Sequence, residues 1–213
     1  LPRVLGDFHQ RYPGVDVALS VLNRSAVVDR FEQNADDLYV MTRPPEGRSI
    51  RAEPLGRNPL VIVASPEHPW VSRPAIRARE LSTQPFVVRE TGSGTRLWGD
   101  EWFAARGVRV QTRLELGSNE AVKQAVRGGF GVALLSAHSV LLELEQRIVS
   151  VLRVSGTPIK SSWHLVSRSD KALGPAADAF RHYARQAMPR VERAISLVLA
   201  GASASRPGRS GHR

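Results

Sequence analysis

Residues 85–104 read PFVVRETGSGTRLWGDEWFA, and this stretch decides the fold class. An apolar run at residues 85–88 enters a loop of glycines and hydroxyls at residues 89–96, and a helix is predicted over residues 97–105. A strand that feeds directly into a helix is the building unit of α/β domains. In such a turn, the backbone N–H groups at the positive end of the helix dipole can hold a carboxylate or a phosphate.

Four residues of this loop are therefore candidates for anion binding: Thr91, Ser93, Gly94 and Thr95. The alternative is an ordinary strand-to-helix turn, in which Ser93 or Thr95 caps the helix and nothing binds. A short run of glycine, serine and threonine is a weak motif, so the loop by itself leaves both interpretations open.

The rest of the chain repeats the alternation of strand and helix. It predicts two α/β units with parallel sheets, right-handed crossovers, and a cleft where the strand ends meet. Strands are expected at residues 15–22, 38–41, 50–55, 60–64, 86–88, 108–116, 131–135, 148–152 and 161–166, and helices at residues 1–12, 27–34, 78–81, 97–105, 119–127, 137–145 and 174–188, the last of which residues 190–199 can continue.

Composition narrows the function classes. The 213-residue chain has no cysteine, which excludes disulfides and thiolate metal sites. The longest uncharged apolar stretch, residues 128–137, is too short to span a membrane, and no signal peptide opens the chain, so we expect a soluble, cytoplasmic protein without membrane contact. The net charge of +10 comes mainly from scattered arginines. This pattern favours a small anionic ligand over direct DNA contact.

Three arginines, Arg206, Arg209 and Arg213, lie in a tail at residues 201–213 that contains no acidic residue. Its Ser/Gly/Pro-rich composition predicts disorder. A solvated extension is favoured over a DNA-binding arm.

No catalytic or metal-binding pattern is visible, so we expect no enzyme activity, no metal and no cofactor. The six histidines are widely spaced, and the Gly-x-Ser-x-Gly and Walker motifs are absent. Asp36 and Asp37 precede a strand, where a turn is favoured over a carboxylate pair. An enzyme on a similar two-lobed fold and a periplasmic solute receptor are the alternatives, and a signal peptide on the full gene would support the receptor.

Five segments together resemble the effector-binding domain of LysR-type transcriptional regulators: residues 1–23, 37–41, 59–70, 89–96 and 117–136. They match in order and at the expected separations. More narrowly, Asn23-Arg24, the segment 36–41 and Pro44-Pro45 are similar to the branch that controls RuBisCO and inorganic-carbon uptake operons.

The resemblance implies a fold like that of type 2 periplasmic binding proteins, in which two Rossmann-like subdomains are joined by two crossover strands. It places one lobe at residues 1–64 plus 168–190, the other at 65–167, and a C-terminal extension at 191–213. It also implies a small-molecule effector between the lobes, and residues 1–23 begin after the family's first strand and a Ser/Thr loop. The expected effector is a small anionic metabolite: a phosphorylated sugar, phosphoglycolate or NADPH.

For partners, the resemblance implies a homodimer through this domain, with the helix at residues 1–12 of one copy near residues 118–127 of the other. The full-length regulator is expected to be a tetramer, and DNA is expected to bind only through an N-terminal winged helix-turn-helix.

The resemblance also suggests site residues outside the loop. Asn23 and Arg24 correspond to a loop that commonly contacts the ligand. Arg43 lies where some members place a cation against an effector carboxylate, although a solvated loop arginine is the alternative.

The remaining candidates lie at a helix start and a strand end. Ser118 and Asn119 begin a helix, where capping is favoured over a ligand contact for both. Leu135 and Ser136 are expected to line the opposite strand end.

Overall fold

The computed structural model describes residues 1–47 and 49–204. It divides into two α/β units. The first unit holds Leu1–Asn58, Gly92–Gly94 and Ser161–Arg193; the second holds Pro59–Thr91, Thr95–Lys160 and the described residues from Ala194 onward. Arg206, Arg209 and Arg213, and with them most of the predicted disordered tail, lie outside the described residues.

The first unit is built on a three-stranded sheet with the order β1-β8-β2. Its strands are β1 (Tyr39–Met41), β2 (Ile50–Arg57) and β8 (Ser162–Arg168), and its helices are α1 (Pro2–Arg11), α2 (Arg24–Glu32) and most of α6 (Pro175–Ala204). Both strand pairs are antiparallel. The sequence predicted parallel pairing, but β2 leads the chain out of this unit and β8 leads it back, so these neighbours run in opposite directions.

Apolar side chains of α1 and α6 pack together within this unit. Phe8 of α1 is fully buried, and its ring contacts those of Tyr12, Phe180 and Tyr183 at centroid distances of 4.8, 5.2 and 5.5 Å. The apolar face predicted for α1 is therefore engaged inside its own unit, and a role for α1 between two copies stays a prediction.

The second unit combines an antiparallel sheet of order β6-β3-β7 with a parallel pair, β4-β5. Its strands are β3 (Leu60–Ala64), β4 (Pro85–Arg89), β5 (Gln111–Leu116), β6 (Ala133–Ser136) and β7 (Ser150–Val151), and its helices are α3 (Gly94–Ala104, whose first residue groups with the first unit), α4 (Asn119–Arg127) and α5 (Leu141–Glu145), with 3₁₀ helices at Pro69–Ser72 and Ala78–Thr83.

Gly131 allows the parallel pair to join this antiparallel sheet. The Val132 N–H donates to the Pro85 carbonyl, and the Val87 N–H donates to the Val132 carbonyl, both at 2.9 Å. A Cβ on Gly131 would lie 2.2 Å from the Pro85 carbonyl oxygen, closer than real contacts allow. Only glycine permits this close approach of two backbones.

The strand predicted at residues 15–22 does not form. The segment carries the expected alternation of apolar residues, but among the described residues no other strand pairs with it. A strand needs a neighbour to supply its hydrogen bonds, and periodicity cannot provide one. Residues 15–20 and Leu22 instead line a groove of about 420 Å³ with residues 35–40, whereas Val21 is 83% exposed.

The chain changes unit after Asn58 and after Lys160, whereas the sequence analysis placed these changes after residues 64 and 167. The difference follows from strand pairing, because β3 pairs with β6 and β7 while β8 pairs with β1 and β2. α6 runs as one helix to Ala204 with Pro189 inside it, so residues 191–200 are helical. Within the part of the chain that the structure describes, no helix has the length and apolar character needed to cross a bilayer.

Candidate functional site

In the first unit, the glycine loop contacts the start of α2. The Ser25 N–H donates to the Gly92 carbonyl at 3.2 Å. Gly92 has a φ of +91°, and a Cβ at this position would lie 2.5 Å from Ser25 Oγ. The backbone conformation therefore favours glycine here, and the Ser25 side chain would have to move to admit a Cβ.

Asn23 caps α2 beside this contact. Its side-chain Oδ1 accepts from the Ala26 N–H at 3.0 Å and from Ser25 Oγ at 2.9 Å. Its Nδ2 lies 3.9 Å from the position that a Cβ on Gly92 would take. The side-chain oxygen of Asn23 thus caps α2, while its amide nitrogen lies near the glycine loop.

Arg24, Arg43 and Gly94 also lie together in the first unit. Arg24 Nε donates to the Arg43 carbonyl at 2.8 Å. A Cβ on Gly94 would lie 3.0 Å from Thr42 Oγ1 and 3.8 Å from the Arg24 Cβ. Thr42 is a hydroxyl neighbour that the sequence analysis did not select, although a threonine directly after β1 and before Arg43 was a readable signal.

In the second unit, the same loop meets a charged cluster. Thr91 is exposed, and its N–H donates to Glu115 Oε1 at 3.3 Å. Arg96 Nη1 donates to Glu115 Oε2 at 3.0 Å and to the Arg89 carbonyl at 2.9 Å, and its Nε donates to Asp100 at 2.9 Å. Burial acts to lower the pKa of Arg96, but the hydrogen bonds and charges of Glu115 and Asp100 outweigh it and raise that pKa. Arg96 therefore stays cationic.

Ser118 and Asn119 lie at the start of α4, and the capping role expected for both is seen for Ser118. Ser118 caps the helix by accepting from the Ala121 N–H at 3.1 Å. Asn119 Oδ1 accepts from Arg89, whose guanidinium also donates to Glu90 at 2.7 and 2.8 Å. The oxygen of the Asn119 amide is therefore engaged by Arg89.

Leu135 and Ser136 lie on β6. Leu135 is 0% exposed and Ser136 is 6% exposed. The Ser136 hydroxyl accepts from the His138 N–H at 3.2 Å, and its carbonyl accepts from the Ser139 hydroxyl at 2.7 Å. Across residues 1–47 and 49–204, no group of three or more His, Cys, Asp or Glu side chains could hold a metal ion.

The comparison with protein families decides the classification. The profile described as "LysR substrate binding domain" matches residues 1–189. The chain belongs to this family. The LysR substrate-binding domain accounts for everything from α1 through the first half of α6.

Curated relatives of this LysR domain are transcriptional regulators. It is 42% identical over 183 residues to the RuBisCO operon transcriptional regulator of Acidithiobacillus ferrooxidans, covering 86% of this chain and 59% of that protein. It is 38% identical over 183 residues to the transcriptional activator CmpR of Synechocystis, covering 86% and 60%. The chain thus spans about three-fifths of the length of these relatives.

Solved LysR domains share the fold. The Synechocystis CcmR regulatory domain in complex with 2-PG is 38% identical, with a TM-score of 0.83 over 88% of this chain and 90% of that one. The effector-binding domain of QuiR in complex with shikimate shares only 19% identity, with a TM-score of 0.75 over 89% and 90%, and supports the fold alone. The predicted fold class, two α/β subdomains like those of periplasmic binding proteins, is confirmed.

The predicted site residues of this LysR domain form two groups. Asn23, Arg24, Arg43 and Gly94 come together in the first unit with buried Ser93, while Thr91 and Asn119 lie in the charged cluster of the second. Thr95 is half-buried at the start of α3, and Leu135 and Ser136 are buried on β6. The cluster residues Arg96 and Glu115 were not selected from the sequence, because a surface ion pair between distant positions has no local signature.

Proposed function

We propose that this chain is the effector-sensing domain of a LysR-type transcriptional regulator and that it binds a small anionic metabolite: a phosphorylated sugar, phosphoglycolate or NADPH. One observation carries the proposal: the domain is 38% identical, over nearly its full length, to a regulatory domain solved in complex with 2-PG, 2-phosphoglycolate. The glycine and hydroxyl loop supplies the backbone N–H groups that such an anion requires.

The binding residues we assign are Asn23, Arg24, Arg43, Ser93 and Gly94 in the first unit and Thr91 and Thr95 in the second. The Ser25 N–H bond to the Gly92 carbonyl ties the glycine and hydroxyl loop to the start of α2, and a Cβ on Gly92 or Gly94 would lie within 4 Å of Asn23, Arg24 or Thr42. Arginine suits a carboxylate or phosphate because its planar guanidinium donates two parallel hydrogen bonds. We also include Asn119, Leu135 and Ser136 of the second unit, and only the family resemblance supports these three.

In the longer regulator, the domain would act as a ligand-gated switch that controls carbon-fixation genes. The effector can shift the arrangement of attached DNA-binding domains only by as much as it binds one state better than the other. Homodimerisation through this domain, a tetramer in the full protein, DNA contact through an N-terminal helix-turn-helix and a cytoplasmic location belong to the same proposal. The regulator names of the relatives favour it over an enzyme or a solute receptor.

Calorimetric titration tests the proposal. We expect saturable heat with 2-PG, a phosphorylated sugar or NADPH, and little with glycolate, which lacks the phosphate. Because the effector's charge carries the affinity, binding should weaken as salt increases. The absence of heat with every phosphorylated compound, from a sample shown to be folded, would contradict the proposal.

A further inference from the structure

The glycine and hydroxyl loop holds a carboxylate of the chain itself. Glu115 projects from β5 so that one oxygen accepts from the Thr91 N–H at 3.3 Å and the other accepts from Arg96 Nη1 at 3.0 Å. A backbone N–H of the loop and a guanidinium group beside it are the donors that a bound carboxylate or phosphate would use. The Glu115 carboxylate therefore occupies two donors that an anionic ligand would otherwise use.

Arg96 is held in place independently of Glu115. Its Nη1 also donates to the Arg89 carbonyl at 2.9 Å, and its Nε donates to both Asp100 oxygens at 3.0 and 2.9 Å. The Arg96 side chain is 25% exposed, whereas that of Glu115 is 44% exposed. Removal of the carboxylate would leave the guanidinium anchored, so the exposed Glu115 is the partner that can exchange.

We infer that Arg96 is a cationic binding residue of the effector site and that Glu115 is its resident counter-anion, displaced when an anionic effector binds. The inference rests on the proposed function and adds two residues to its site. Exchange of one anion for another leaves the Thr91 N–H and the Arg96 guanidinium paired in both states. The effector gains only the difference between its own interaction with these donors and that of Glu115. Glu115 therefore competes with the effector and weakens its binding.

Glu115→Gln tests this exchange. Glutamine keeps the length and a hydrogen-bonding oxygen but loses the charge, so the loop should keep its shape while the competition weakens. Hydrogen bonds to charged groups are stronger than neutral ones, so we expect 2-PG to bind E115Q about five- to tenfold more tightly than wild type in calorimetry. Glu145→Gln, at an exposed position in the same unit, makes the same charge change away from the loop and should leave the affinity unchanged.

Equal or weaker binding of 2-PG by E115Q than by wild type would overturn the exchange while leaving the proposed function intact. No binding of 2-PG by either protein would overturn both. A second readout uses wild type alone and covers the case in which E115Q does not fold. The Arg96 Nε–H resonance should shift saturably with 2-PG, and an unmoved resonance at saturation would show that Arg96 is not a binding residue.

Discussion

At the scale of single residues, Arg24 and Arg43 link two elements of the first unit and bring two cations to its proposed binding residues. The side chain of Arg24 donates to the carbonyl of Arg43, so the turn after β1 is tied to the start of α2 at 2.8 Å. This bond uses the backbone of Arg43 and places its guanidinium on a fixed turn. Because the backbone of this turn is held, binding of an anion by Arg43 has to order only the side chain.

Arg43→Ala should therefore weaken 2-PG by roughly 1.5–3 kcal/mol, the usual worth of a hydrogen bond to a charged group. The Arg24 bond survives in R43A because it ends on the backbone carbonyl. Arg51→Ala, an exposed arginine on β2 of the same unit, removes the same charge and should leave the affinity nearly unchanged. Calorimetry on both variants compares them directly, and an R43A affinity equal to that of wild type would exclude Arg43 from the site.

The sequence allowed the glycine and hydroxyl loop to be selected as a candidate, and effector binding by it stays a prediction. Glycines and hydroxyls at residues 91–95 announce a loop by their chemistry, and the Gly92 φ of +91° agrees with that interpretation. Glu115 could not be found in this way because it lies 24 residues beyond Thr91, on a different element. Contacts between distant segments depend on how strands pair, and residue type does not encode that pairing.

At the scale of elements, the second unit depends on the close approach of β4 to the segment that leads into β6. The two hydrogen bonds between Pro85, Val87 and Val132 require Gly131, where any side chain would meet the Pro85 carbonyl. A backbone oxygen cannot rotate away as a side chain can. The strain of a substitution must therefore be relieved by moving the strands apart.

Gly131→Ala should lower the free energy of unfolding by about 3 kcal/mol or more, because the added methyl group forces two paired backbones apart. Gly107→Ala is the matched control, since Gly107 also has a positive φ, of +62°, but has open space around its Cβ position. It should cost only about 1–2 kcal/mol of backbone strain. Urea unfolding measures both, and similar losses in the two variants would contradict the steric argument.

The sequence predicted the ends of an element correctly where its local pattern of apolar residues matches the face that is buried in the fold. The expected ranges for β3 and α4 match the observed Leu60–Ala64 and Asn119–Arg127, since a continuous apolar run and a capped amphipathic helix satisfy themselves locally. Residues 15–22 carry an equally clear alternation but lack a paired neighbour among the described residues. Parallel pairing was predicted throughout; it holds for β4-β5 but not for the two three-stranded sheets, because strand direction depends on the order in which the chain enters each sheet.

At the scale of the whole molecule, acidic pH should destabilise the fold. Several carboxyl groups have a pKa lowered by their partners, among them Asp36, whose pKa is held below its ordinary value chiefly by its hydrogen bonds to Arg30 at 2.6 and 2.8 Å. A carboxyl whose pKa is lower in the folded state takes up protons more readily when unfolded. Its contribution to stability is present above its ordinary pKa and is lost as the pH falls through the folded value.

Asp36→Asn should therefore reduce the dependence of stability on pH. Wild type should lose stability between pH 5 and pH 3. D36N should lose less over the same interval, because asparagine cannot take up the proton that breaks the Asp36–Arg30 pair in wild type. Asp16→Asn is the control, since Asp16 is exposed and makes no ion pair among the described residues. Thermal unfolding across this range is the measurement, and parallel curves for D36N and wild type would show that the pair contributes nothing.

The central claim for the whole molecule is that a small anion binds at the glycine loop. Amide NMR during a titration with 2-PG tests it most directly, because it reports binding and location together. We expect saturable shifts at the backbone amides of residues 91–95 and 23–25 that exceed those elsewhere in the chain. Saturable shifts confined to other residues, or no shifts at millimolar 2-PG, would contradict it.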